Sequence, residues 1–239
     1  MGLIALGATI AQRFLPAGGR FAANLGSAAA ATVVARRSGV SWSDLGLDRH
    51  AAGAGLRWGI GAGTALAVGV AVAGRAAPTR GHFVDERVTA HDRRRATVEL
   101  AARIPLETAL AEEVIFRGAL LGIALQHRSA PAAVLTSSTL FGLWHVLPTL
   151  GGLDGSAVGA VAGESRSARV AAVAGVVGAT AAAGCGFAIL RLRSGSLLAP
   201  VLAHAVLNMA SFAVTRAAST RAATSDAATS IVTAGEAPA

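Results

Sequence analysis

A succession of apolar segments, each close to the length of a bilayer-crossing helix, governs what this chain can become. A hydrocarbon core of roughly 30 Å takes about 20 helical residues to cross. Inside it, each backbone N–H and C=O must find its partner within the protein, which a helix provides. Gly59–Ala77, Pro131–Leu150, Val170–Leu192 and Leu197–Ala213 fit that ruler. A further long helix is expected from Ala96 to Gln126, with Pro105 as an interruption. Nearer the N-terminus, Gly2–Leu15 and Phe21–Ala35 are shorter, and make two spans or one span plus an interfacial helix. Gly2–Leu15 lacks the basic start and clean cleavage site of a signal peptide, so it reads as an anchor. The expectation is all-α: a polytopic membrane helix bundle of about six to seven transmembrane helices.

Composition supports this. Hydrophobic residues make up 53% of the chain, charged residues only 14%, and mean hydropathy is +0.56. A soluble domain carries nearer a quarter charged residues. The polar stretches fall between the apolar ones. Ser38–Arg57 is a connector, with Trp42 and Trp58 at interface positions. Thr79–Arg95 is the most charged stretch, and Gly151–Arg166 is a Gly/Ser-rich loop. From Thr215 onward Ala, Thr, Ser and Asp dominate, so residues 1–214 are expected to form the membrane domain and 215–239 a disordered tail. The net charge of +8 comes from Arg alone, as there is no Lys. These arginines sit mostly beside apolar segments, where they suit anionic lipid headgroups, so the expected partner is lipid and not nucleic acid. Arg36-Arg37 and Arg93-Arg94-Arg95 compete as orientation signals. The single Cys185 has no partner for an internal disulfide.

Ionisable groups at membrane depth are costly and mark functional sites by default. The helix after the charged loop carries Arg103, Glu107, Glu112, Glu113 and Arg117; the next segment carries His145; the last carries His204 and Asn208. Glu113 and Arg117 are four apart in the favourable acid-before-base order and can pair. Glu112 is turned about 100° away on the helix and has no local cation. A carboxylate in a low-dielectric site gains proton affinity, which suits it to accept a proton from water. The pair thus divides into a chemical Glu112 and a structural Glu113. Phe141 and His145 share one helical face, as do His204 and Asn208. Glu112, His145, His204 and Asn208 can therefore converge from three helices. Such a set can bind a metal, since His, His and Glu is a zinc combination. It can instead hold a water for general-base attack while other donors stabilise an oxyanion. No HExxH helix is present.

Glu112-Glu113-Val-Ile-Phe-Arg117 resembles the EExxxR motif of the CPBP family, the CAAX protease and bacteriocin-processing membrane proteins. Phe141-Gly-Leu-Trp-His145 resembles its FxxxH motif, and His204-Ala-Val-Leu-Asn208 its HxxxN motif. All three stand in the family's order. The resemblance implies an intramembrane glutamic-type endopeptidase of all-α fold, in a bacterial plasma membrane, acting on a protein or peptide of unspecified identity. It implies that Glu112 activates the hydrolytic water with help from His145. His204 and Asn208 form the oxyanion site, and Glu113 and Arg117, with Phe141, support the helix and the site. No cofactor is expected, with zinc at Glu112, His145 and His204 as the alternative chemistry. Two other functions compete: a non-catalytic membrane binding or bacteriocin self-immunity protein on the same fold, and a proton-coupled carrier. The carrier reading lacks an inverted repeat.

Overall fold

A computed structural model of the protein describes residues 17–153, 156, 159, 162–163 and 165–235. The expected anchor at Gly2–Leu15 lies outside them. Helix α1 is Ala17–Arg37, and α2 is Ala52–Ala73, entered through a 3-10 turn at Arg49–Ala51. Helix α3 is continuous over residues 93–127. Helix α4 is Ala130–Trp144, α5 the short Val146–Gly151, α6 Arg166–Ser194 and α7 Leu198–Gly235. No strand forms among the described residues; one isolated bridge joins Asp85 and Ser156. The fold is an all-α bundle. Arg49–Ala73, Ala130–Gly151, Arg166–Ser194 and Leu198–Thr224 are long and apolar enough to cross a membrane, while α1 and α3 are long enough but do not meet the same test of apolar composition.

Glycine lets two of these helices meet almost backbone to backbone. Gly55, Gly59 and Gly63 recur every fourth residue on α2 and are buried. A Cβ on Gly59 would stand 2.9 Å from Leu202 Cβ and 3.0 Å from the Ala199 carbonyl oxygen of α7. Gly63 meets Val206 in the same way, at 3.1 Å. In lipid, where apolar side chains gain nothing by leaving solvent, such close packing is what holds helices together.

Helix α1 presents Asn24, Ala28, Ala31 and Ala35 as one buried face, at helical spacing. Ala28, Ala31 and Ala35 share a core with Ala111, Ile115, Phe116 and Ala119 of α3, closed by Phe141 and Trp144 of α4. Helix α3 is unusual. It is wound in wide i→i+5 turns over Glu99–Leu110 and Val114–Leu120, with one ordinary α turn, Ala111–Glu113, between them. Pro105 was expected to interrupt this helix. It lies instead inside the first wide stretch, which runs on unbroken. A proline removes an N–H and crowds the preceding turn, and a wider turn relieves both.

The connector after α1 is locked to the turn between α6 and α7. Arg191 of α6 donates to the carbonyl oxygens of Asp44 at 2.7 Å and Ser43 at 3.2 Å. Leu197 N–H donates to the Gly46 carbonyl at 2.8 Å. Gly46 sits at φ 79°, and a Cβ there would collide with the Arg191 guanidinium, so glycine is required twice over. Trp42 and Trp58 are both exposed, as an interfacial position demands.

The last helix passes the boundary expected at residue 214 without a break and continues to Gly235. Just past that boundary it still packs: Ala218 and Ser219 are buried. Ser219 Oγ accepts from the Asp85 N–H at 2.8 Å, and Arg216 donates to the His91 carbonyl at 2.6 Å. Alanine, the best helix former, is the commonest residue of this last stretch.

Candidate active site

The two adjacent glutamates occupy different environments. Glu112 lines a cavity of about 700 Å³ together with Arg20, Asn24, Arg87, Arg103, Glu107 and His145. Its Oε2 atom is buried and has no hydrogen-bond partner. Glu113 points to another side of the helix and is fully buried. Its Oε1 accepts from Arg117 Nη1 at 2.9 Å and from His204 Nδ1 at 2.8 Å. The single α turn at Ala111–Glu113 sends these neighbours to different sides of the helix.

A box of aromatic rings closes around the Glu113 cluster. The Arg117 guanidinium, fully buried, lies 4.1 Å from the Phe141 ring centre and 5.4 Å from that of Phe187. Phe187 stacks on His204 at 5.0 Å, and Phe141 stands edge-on to both His145 and His204. Gly184 makes room for this: a Cβ there would stand 2.9 Å from Arg117 Nη2. Arg117 therefore trades water for one carboxylate and several ring faces.

His145 is set by a break in its own helix. Pro148 clashes with a helical carbonyl at Trp144, so α4 ends there. The His145 backbone N–H turns to the Gly142 carbonyl at 3.0 Å, which leaves the Phe141 carbonyl to accept from His145 Nδ1 at 2.8 Å. A carbonyl can only accept, so Nδ1 carries a proton. In the neutral ring Nε2 then holds the lone pair, beside the cavity that Glu112 lines.

The structure thus sorts the residues singled out by spacing. Glu112 and His145 share one cavity. Glu113, Arg117, Phe141 and His204 form the sealed cluster behind it. Asn208 is partly buried one turn beyond His204 on α7, and no hydrogen bond among the described residues joins it to either group. Among the described residues, no three His, Cys, Asp or Glu side chains gather at ligand distances. Phe187 was missed because a lone aromatic in a Gly/Ala-rich span has no motif to mark it. Arg20, Arg87 and Asn24 were missed because they come from segments distant in sequence. Arg191 could have been found as a charge at the end of an apolar segment.

The cavity mouth is charged. Arg103 is bracketed by Glu99 and by Glu107, the latter at 2.9 Å. Arg87 pairs with Asp85 at 2.6 Å. Burial works against the Asp85 carboxylate, but the hydrogen bonds and charge of Arg87, with the charge of His91, outweigh it and hold the carboxyl below its ordinary value.

All three motifs fall within residues 96–210, which match the family model described as Type II CAAX prenyl endopeptidase Rce1-like. Residues 96–210 are an Rce1-like domain of the CPBP family. Comparison with curated proteins gave no match, nor did comparison with solved structures. The Rce1-like domain begins near the start of α3 and ends within α7, so it holds Glu112, His145, His204 and Asn208 but not Arg20 or Arg87. With its apolar helices, it makes this chain an integral membrane protein.

Proposed function

We propose that the protein is an endopeptidase of a bacterial plasma membrane that hydrolyses peptide bonds at or within the bilayer by attack of a water held between Glu112 and His145. The observation that carries this is the division of the glutamate pair: Glu112 lines an open cavity with His145, whereas Glu113 is sealed against Arg117 and His204. Glu112 accepts the proton of the attacking water, whose oxygen bonds to the scissile carbonyl carbon. His145 Nε2 accepts a hydrogen bond from that water and orients it. The proton then passes to the leaving amine as the C–N bond breaks. The family resemblance assigns the oxyanion donors to His204, which Glu113 holds in the sealed cluster behind the cavity, and to Asn208 one turn on. The family's name points to prenylated C-terminal segments as the substrate class, and the lipid-facing helices suit a substrate delivered from the bilayer.

The test uses purified protein in lipid vesicles with a prenylated CAAX peptide. Glu112→Ala and His145→Ala are expected to lose at least 100-fold in kcat/KM with the fold retained. The wild type is expected to keep its rate in excess 1,10-phenanthroline, because no metal takes part. A rate abolished by the chelator and restored by zinc would replace this mechanism with the metal one. A binding or self-immunity role gains weight if both variants keep full function in cells.

A further inference from the structure

The cavity wall carries three arginines, and two of them are already neutralised. Arg103 lies between Glu99 and Glu107, and Arg87 is paired with Asp85. Arg20 of α1 forms no ion pair among the described residues, and its Nε is buried without a hydrogen-bond partner. Glu112 is the cavity's other charge left unpaired, with its Oε2 likewise unpartnered. Among the described residues, the cavity therefore holds one free base and one free cation in the same space. Arg20 is half-buried, and its Nε lacks a partner inside the protein, so a carboxylate bound in the guanidinium fork would satisfy it. Asn24, one turn along α1 from Arg20, is tied to the Glu107 carbonyl at 3.4 Å, which fixes α1 against α3 where the cavity forms.

From this we infer that Arg20 is a specificity-determining residue that holds a carboxylate of the peptide being cleaved, in the cavity that Glu112 also lines. The inference rests on the proposed hydrolysis. It adds a residue from α1, outside the matched domain, to the substrate-reading wall. Two sources offer the same chemistry: the free C-terminus of the peptide, or an acidic side chain near it.

Binding is the direct test, because it does not need turnover. The full chain carrying Glu112→Gln, in lipid vesicles, is offered a random-sequence decapeptide pool in three forms: free acid, C-terminal amide, and amide with a glutamate two residues from the end. Retained peptide is measured by mass spectrometry. The free acid is expected to be retained about tenfold better than the plain amide. Arg20→Ala removes that preference without altering retention of the amide, and Arg20→Lys restores part of it. Preference for the glutamate-bearing amide, lost in Arg20→Ala, supports the same role with a side-chain source. Equal retention of all three forms overturns the inference, as does a preference that survives Arg20→Ala. If Arg20→Ala lowers retention of every form equally, Arg20 supports the fold and the inference also fails. Carboxylate-dependent binding in a wild type that never cleaves would leave Arg20's role standing and remove the hydrolytic reading.

Discussion

Glu112 and Glu113 differ by one position and by nearly everything else. Glu113 is bound to two cationic or proton-donating partners in a sealed box, so neutralising it strands Arg117. Breaking a buried pair from one side costs about 3–5 kcal/mol. Glu113→Gln is therefore expected to lower the thermal midpoint sharply in a detergent melt, while Glu112→Gln leaves it unchanged or raises it, because a buried carboxylate without a partner is itself a cost. A Glu112→Gln protein as damaged as Glu113→Gln would mean that both residues are structural. The Glu113–Arg117 pair was legible in the sequence from its spacing. The His204–Glu113 bond was not, since spacing within one helix says nothing about which residue a second helix brings to it.

At the scale of elements, the glycine spacing on α2 and the wide turns of α3 matter most. Gly59→Val would place branched atoms where Leu202 and the Ala199 carbonyl already stand. The overpacking is expected to cost about 1–3 kcal/mol and to push α2 away from α7, the helix that carries His204 and Asn208. The check is a cross-linking pair on exposed positions of the two helices, whose yield should fall in the variant; an unchanged yield would show that the contact is slack. The apolar lengths announced most of these helices. They did not announce how α3 would absorb Pro105, because a proline signals only that an ordinary turn is disfavoured and not whether the chain breaks or widens. In α4 the same residue type does break the helix, and Pro148 thereby frees the Phe141 carbonyl that fixes His145.

For the whole molecule, the connector at 74–92 joins the cavity to the C-terminal extension. Arg87 lines the cavity, its partner Asp85 bonds to Ser219, and Arg216 holds the His91 carbonyl. A chain ending after residue 214 loses both ties. It is expected to expose Arg80, Arg87 and Arg93 to trypsin several-fold faster in membranes, and to cleave its substrate more slowly; equal digestion rates would show that the extension is idle. Composition counts residue types, so it cannot show that Arg216 and Ser219 reach back to the connector. The central claim is that Glu112 is the base of a membrane protease. Its most direct test compares the membrane proteomes of two hosts, one expressing the wild type and one Glu112→Gln at matched levels. Cleavage fragments present only with the wild type are the expected result. Identical fragments in both hosts, each including products absent from cells without the protein, would contradict it, because cleavage would then proceed without the Glu112 carboxylate.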